Sequence, residues 1–227
     1  MDTSLFSNET DVQPRFDVAV DPEHAGLRIS VVLVFFATAV VVYLLAALLF
    51  PTDSGLNIVG ILAALVAATL TTQVVDQVFK QRWLSGRRLR VTDDRIQLVL
   101  RDAVQHDIDG AQHVNVLFWR FAITKRTRIP KGWYMMALAL HQNDTYLTAY
   151  TFIAPTDFDR LPDAKHFVKL TPKKEQTDQD MRLAGQQRRL HTAEDARWNE
   201  GAELSQADFA ALLACLRQTF PVWMIGE

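Results

Sequence analysis

Residues 29–50, ISVVLVFFATAVVVYLLAALLF, and residues 56–75, LNIVGILAALVAATLTTQVV, are two uncharged apolar runs separated only by Pro51-Thr52-Asp53-Ser54-Gly55. As helices, 22 and 20 residues rise about 33 and about 30 Å, each enough to cross the hydrocarbon layer of a bilayer. The pair reads as a transmembrane hairpin. It is expected to be an uncleaved anchor rather than a signal peptide, because the leading segment is acidic, the first run exceeds a signal h-region and a second run follows at once. Downstream lie Lys80, Arg82, Arg87, Arg88, Arg90 and Arg95, whereas the connecting loop has no Lys or Arg. The positive-inside bias therefore puts the loop outside and both termini in the cytoplasm of a multi-pass cell-membrane protein.

Working outward, the chain of 227 residues has a formal charge of −2 and 49% apolar content, an average over unlike parts. Residues 1–28 carry six acids against Arg15 and Arg28, while residues 80–227 carry 22 Lys/Arg against 18 Asp/Glu. So mild a balance gives no footprint for nucleic acid. The organisation expected is a cytoplasmic N-terminal segment (1–28) that includes a strand, a hairpin with a helical extension (29–84) and a cytoplasmic β domain (85–227). After Gly86 the apolar period falls from helical to two. Leu89 and Val91, then Ile96, Leu98 and Leu100, alternate with charged residues about Asp93-Asp94, which reads as a β-hairpin. Further strands are expected over Val104–Ile108, Val114–Phe121, Met135–Leu140 and Tyr146–Ile153, with a last short one at 167–170. Residues 171–203 read as a polar, partly helical insert with a short helix opening at Thr192. Ser205 to Asp208 form a capping box before Phe209, Leu212, Leu213, Leu216 and Phe220, so a C-terminal helix is expected over 205–220.

The order of a hairpin, then Arg-Leu-Arg-Val-Thr-Asp-Asp-Arg-Ile (88–96), short strands and a C-terminal helix resembles the bacterial PH-like (pleckstrin-homology-like) membrane proteins. Phe-Asp-Val-Ala-Val-Asp-Pro-Glu-His (16–24) and Ile-Pro-Lys-Gly-Trp (129–133) are similar to stretches of one branch of that family. The resemblance implies an α+β membrane protein whose antiparallel split β-barrel is capped by a helix, and a binding or scaffolding role with no catalytic residues to carry over.

Two features are candidate sites. Gly60, Ala64 and Ala68 recur every fourth residue, a seam of small side chains that lets another helix approach closely. It can receive the first span of the same hairpin, a second copy or another membrane protein. Lys125, Arg126, Arg128 and Lys131 crowd into seven residues beside Trp133 and Tyr134, a combination suited to an anionic surface or acidic partner. Asp76 and Lys80 form an i,i+4 pair at a helix end.

For chemistry the sequence offers less. The six histidines show no metal-ligand spacing, there is no Gly-rich phosphate loop, and neither a nucleophile elbow nor paired cysteines occur. The lone Cys215 sits among leucines as a small apolar residue. No enzyme, metal or cofactor is expected. The function expected is a membrane-anchored interaction or scaffolding protein; the alternatives are an anionic-lipid headgroup sensor and an accessory subunit of a larger membrane complex.

Overall fold

A computed structural model describes residues 13–22, 25–51, 57–83, 85–125, 128–158, 160–161, 164–172 and 181–224. The chain divides into two compact units, Asp21–Ser85 and the combination of Met1–Val20 with Gly86–Glu227.

The first unit is a pair of helices, α1 (Ala25–Leu49) and α2 (Ile58–Arg82), both long and apolar enough to cross a membrane. Each extends past the apolar run that signals it. Asn57 is the polar hinge of the pair. Its side-chain oxygen accepts from the Gly60 N–H at 2.8 Å and caps α2, while its amide donates to the Phe50 carbonyl at 2.9 Å. One buried side chain thus bonds the end of one helix and the start of the other. The apolar side chains point outward: eleven large ones between Ile29 and Phe50 and nine between Ile58 and Val78 are exposed.

Among the described residues the second unit holds two sheets and three α-helices. β1 (Phe16–Ala19), β2 (Arg87–Val91), β3 (Arg95–Leu100) and β4 (Ala103–Asp109) form sheet A in that order, all antiparallel. β1 pairs with β2 although the whole helical unit lies between them in sequence; Phe16 faces Val91 and the Val20 N–H donates to the Arg87 carbonyl at 3.1 Å. Asp17 on β1 lies across from Arg88 and Arg90, at 2.8 and 3.3 Å. The β domain therefore does not begin at residue 85: its first strand comes from the N-terminal segment.

Sheet B contains β5 (Asn115–Ala122), β6 (Tyr134–Gln142) and β7 (Thr145–Ile153), antiparallel, flanked by β8 (Val168–Lys169) beside β5 and β9 (Ala202–Glu203) beside β7. Both flanking pairs are parallel. The expected antiparallel split barrel is thus corrected to two sheets without a closed barrel. The reason is visible at the edges: β8 and β9 occupy both margins of sheet B, so neither β1 nor β4 can continue the ladder. The sheets meet instead through Gln142, whose side chain donates to the Asp109 carbonyl at 2.8 Å and accepts from the Asp109 N–H at 3.0 Å.

Between the sheets lies the main core, with Leu89, Ile96, Leu98 and Ile108 from sheet A and Met136, Leu138, Leu140 and Leu147 from sheet B. After the single turn α3 (Pro155–Phe158) come residues 171–203, expected as a polar, partly helical insert. Their described part is dominated by α4 (Met181–Glu200), which covers the other face of sheet B. Under α4, Trp119, Met135, Ala137 and Ala139 pack with Leu190 and Ala193 in a second core. Finally α5 (Gln206–Thr219) closes the main core with Phe209, Leu212, Leu213 and Leu216. Ser205 caps it by accepting from the Asp208 N–H at 3.1 Å, and a 3-10 turn, Pro221–Met224, follows.

Candidate functional site

The basic loop joins β5 to β6. Its base is pinned by backbone bonds from the Gly132 N–H to the Ile123 carbonyl at 2.9 Å and from the Ile123 N–H to the Trp133 carbonyl at 2.7 Å, and Gly132 takes φ +91°. Lys125 and Lys131 are exposed and Trp133 is half-buried. Arg126 lies outside the described residues. Arg128 is not grouped with the lysines for an outside partner: its guanidinium pairs with Glu203 of β9 and lies 5.2 Å from the Phe152 ring centre. Glu203 also accepts from the Tyr150 hydroxyl at 3.2 Å. The patch is therefore weaker in free charge than its sequence density implies, because one guanidinium is committed to holding β9 on sheet B.

The contact continues as a polar network under α4. Arg197, buried, stacks over the Tyr150 ring at 4.8 Å and bonds Glu194 at 2.7 and 2.9 Å; Glu194 in turn accepts from the Trp119 indole N–H at 2.9 Å. A buried guanidinium needs this full set of partners, since charge left unpaired away from water is costly. Sequence reading missed these residues, for Glu194 and Arg197 look like ordinary surface charges of a polar helix.

In the helical unit, Gly60, Ala64 and Ala68 are all buried. A Cβ on Gly60 would sit 3.2 Å from the Ala46 Cβ, so the seam lies where α1 approaches α2. The Asp76–Lys80 pair forms at 2.9 Å. Trp83, just past α2, packs edge-on against Phe79 with ring centres 5.6 Å apart.

The described histidines are dispersed among different partners. His106 meets Glu200 at 3.1 Å, His141 stacks on Tyr146 at 4.1 Å, and His191 lies 3.0 Å from the Thr171 carbonyl oxygen. Among the described residues no three His, Cys, Asp or Glu side chains gather as a metal ion would require. The void between the sheets, lined by Leu89, Ile96, Leu138, Leu140, Leu147, Ala149, Leu212 and Leu216, measures about 10 Å³ and is wholly apolar. It is too small and too dry to hold a ligand. Cys215 is partly buried, its Sγ 3.9 Å from the Thr219 hydroxyl.

At the far turns of sheet A, Asp109 is held below the ordinary aspartate range. The Ala111 N–H at 2.9 Å is the main cause, with the Gln112 amide, also at 2.9 Å, adding to it. Arg95 is raised by the charge of Asp107, with which it bonds at 2.8 Å. Both are exposed ion and turn contacts.

Comparison with protein-family models, with curated proteins and with solved structures gives no match. The chain is a mixed α+β protein with two candidate membrane-crossing helices and a two-sheet domain, and its PH-like resemblance rests on the quoted residues alone.

Proposed function

We propose that the protein is a membrane-anchored interaction module: α1 and α2 cross the bilayer as a hairpin and hold a PH-like two-sheet domain at its cytoplasmic surface. One observation carries the reading. The strands on either side of the helical unit, β1 and β2, are hydrogen-bonded neighbours in one sheet. Folded together, they must lie on one side of any membrane, so the segment between them crosses an even number of times. Two helices of spanning length are what such an excursion needs.

Energetics support insertion. An exposed Leu, Val or Phe side chain forfeits about 1.5–3 kcal/mol relative to burial. Leaving even half of the exposed apolar side chains of α1 and α2 in water would outweigh the roughly 5–15 kcal/mol that stabilises a typical domain. The cations from Lys80 to Arg95 support the cytoplasmic side. Function then follows from placement: confining the domain to a surface raises its effective concentration toward membrane partners. The loop bearing Lys125 and Lys131 is the candidate contact for an acidic partner.

Photo-crosslinkers placed at Lys125 and at Lys131 in intact cells test this. A discrete adduct with a membrane-fraction protein is expected, and it should be lost when residues 21–85 are replaced by a soluble linker. No adduct, or one formed equally well by the released domain, would refute the placement mechanism.

A further inference from the structure

We propose that Arg120, near the β8 margin of sheet B, binds a single carboxylate, the side chain of an acidic residue in a peptide segment of the partner; the inference rests on the interaction role proposed above and names what that partner presents. Arg120 alternates with Trp119 and Phe121, which belong to the core under α4. It therefore lies on the opposite face of β5, across from buried Met136 of β6. Three contacts fix its guanidinium. Nε donates to the Phe167 carbonyl at 3.3 Å, and Cζ lies 4.3 Å from the Phe158 ring centre and 5.4 Å from that of Tyr134. The single turn α3 supplies Phe158 and the start of β6 supplies Tyr134, so two elements brace one side chain.

A guanidinium carries five N–H donors, and here only Nε–H is used. The donors on Nη1 and Nη2 have no partner among the described residues, and no carboxylate pairs with Arg120 there. Other arginines of similar burial are compensated. Arg87 donates to Gln105 and to the carbonyls of Glu200 and Gly201, Arg88 and Arg90 share Asp17, and Arg197 grips Glu194. A half-buried cation without a counter-ion is costly, whereas one already stacked on aromatic rings loses little further freedom when an anion arrives. Exposed Lys169 stands beside Arg120 in the parallel β5–β8 pair. The stretch from α3 to β8 adds Arg160 and Lys165, against Asp157, which bonds Arg160 at 3.4 Å, and against Asp159 and Asp163. Four cations thus face three carboxylates, a net of one positive charge. That balance suits one carboxylate rather than a phosphate or an anionic bilayer, and the paired Nη groups match its two oxygens. The half-buried rings of Tyr134 and Phe158 favour an apolar side chain next to the acid.

Arginine side-chain NMR of the full chain in nanodiscs, titrated with acetyl-Phe-Glu-amide, acetyl-Phe-Gln-amide or inorganic phosphate, tests the proposal. The Glu peptide should shift the Arg120 signals and bind about ten-fold more tightly than the Gln peptide, the difference expected for a charge-assisted bond. Arg120→Lys keeps the charge but not the fork and should lose most of that preference. Lys169→Gln, an exposed change that leaves the contacts of Arg120 in place, should weaken Glu-peptide binding about three-fold. Arg95→Gln, in sheet A, should leave it unchanged. An arginine that only braces the fold would lower the melting temperature in Arg120→Lys while wild type showed no preference between the peptides. Equal binding of the two peptides by wild type, full preference in Arg120→Lys, or tighter binding of phosphate than of the Glu peptide would overturn the proposal. Photo-adducts at Lys125 or Lys131 in a protein that does not discriminate between the peptides refute this inference alone; the loss of both refutes the interaction role as well.

Discussion

The two units spend the same residue types in opposite ways. Around α1 and α2 many large Leu, Val and Phe side chains face outward, and Asn57 turns in to bond the backbone at the helix ends. In the two-sheet domain the Leu, Met and Phe side chains face inward between layers, and charges form the exterior. On the proposed reading, the difference lies in the solvent that each surface meets. An unbonded backbone group has no partner in hydrocarbon, so helices with internally satisfied ends suit lipid. In water the apolar side chains must be hidden, and layers of sheet and helix do that.

The largest expected effect comes from separating the units. Replacing residues 21–85 with a short Gly/Ser linker should move the protein from the membrane pellet to the soluble fraction with the two-sheet domain folded. Deleting residues 1–85 should not give an equivalent product. It removes β1, opens the edge of β2 and discards the burial of Val20, which alone is about 1.5–3 kcal/mol. Circular dichroism melts of the two soluble products would show the gap, and equal melting temperatures would refute the contribution of β1.

Next in size is a pair of truncations that inverts between the units. Phe209→Ala empties a fully buried site in the main core and should cost about 3–5 kcal/mol. Leu62→Ala removes as conspicuous an apolar side chain, yet Leu62 faces outward and the change should stay within about 0.5 kcal/mol in a lipid environment. Chemical unfolding in nanodiscs measures both. A smaller effect belongs to the hinge: Asn57→Ala loses the α2 cap and the amide bond to the Phe50 carbonyl, for about 1–2 kcal/mol, read as earlier unfolding of the helical pair in denaturing detergent.

The smallest effect is a proton. Because Asp109 is held below the ordinary aspartate range, its turn contributes fully above about pH 4 and loses that contribution as the pH falls through the lowered value. The protection of the Ala111 amide, its exchange rate set against the intrinsic rate at each pH, should hold at neutral pH and fall only in acid. A loss of protection that begins near pH 6 would exclude Asp109 as the cause.

How much of this was legible in the sequence varies with the range of the interaction. The two apolar helices, the strands from β2 to β7 and the Ser205 cap follow from local pattern, and between β6 and β7 Asn143 takes φ +53°. What crosses sequence distance was hidden. Nothing local shows that Phe16 pairs with Val91, or that β8 and β9, two residues each, add parallel edges that prevent barrel closure. Arg128 reads as part of a basic patch because its partner Glu203 lies 75 residues away. The α4 helix was expected only as a short piece opening at Thr192, because it grips sheet B through Leu190, Ala193 and the guanidinium of Arg197 rather than an apolar stripe. A signal for it did exist. From Met135 to Leu140 β6 is apolar at every position, the mark of a strand covered on both faces.

The most direct test uses single cysteines in a Cys215→Ser background and a membrane-impermeant maleimide on intact cells. Pro51→Cys, between the helices, should be labelled at once. Arg15→Cys and Asp144→Cys, in the two-sheet domain, should be labelled only after the membrane is opened. Equal labelling of all three, or labelling of Arg15→Cys and Asp144→Cys on opposite sides, would contradict a single domain held at one face of a bilayer by a two-helix anchor.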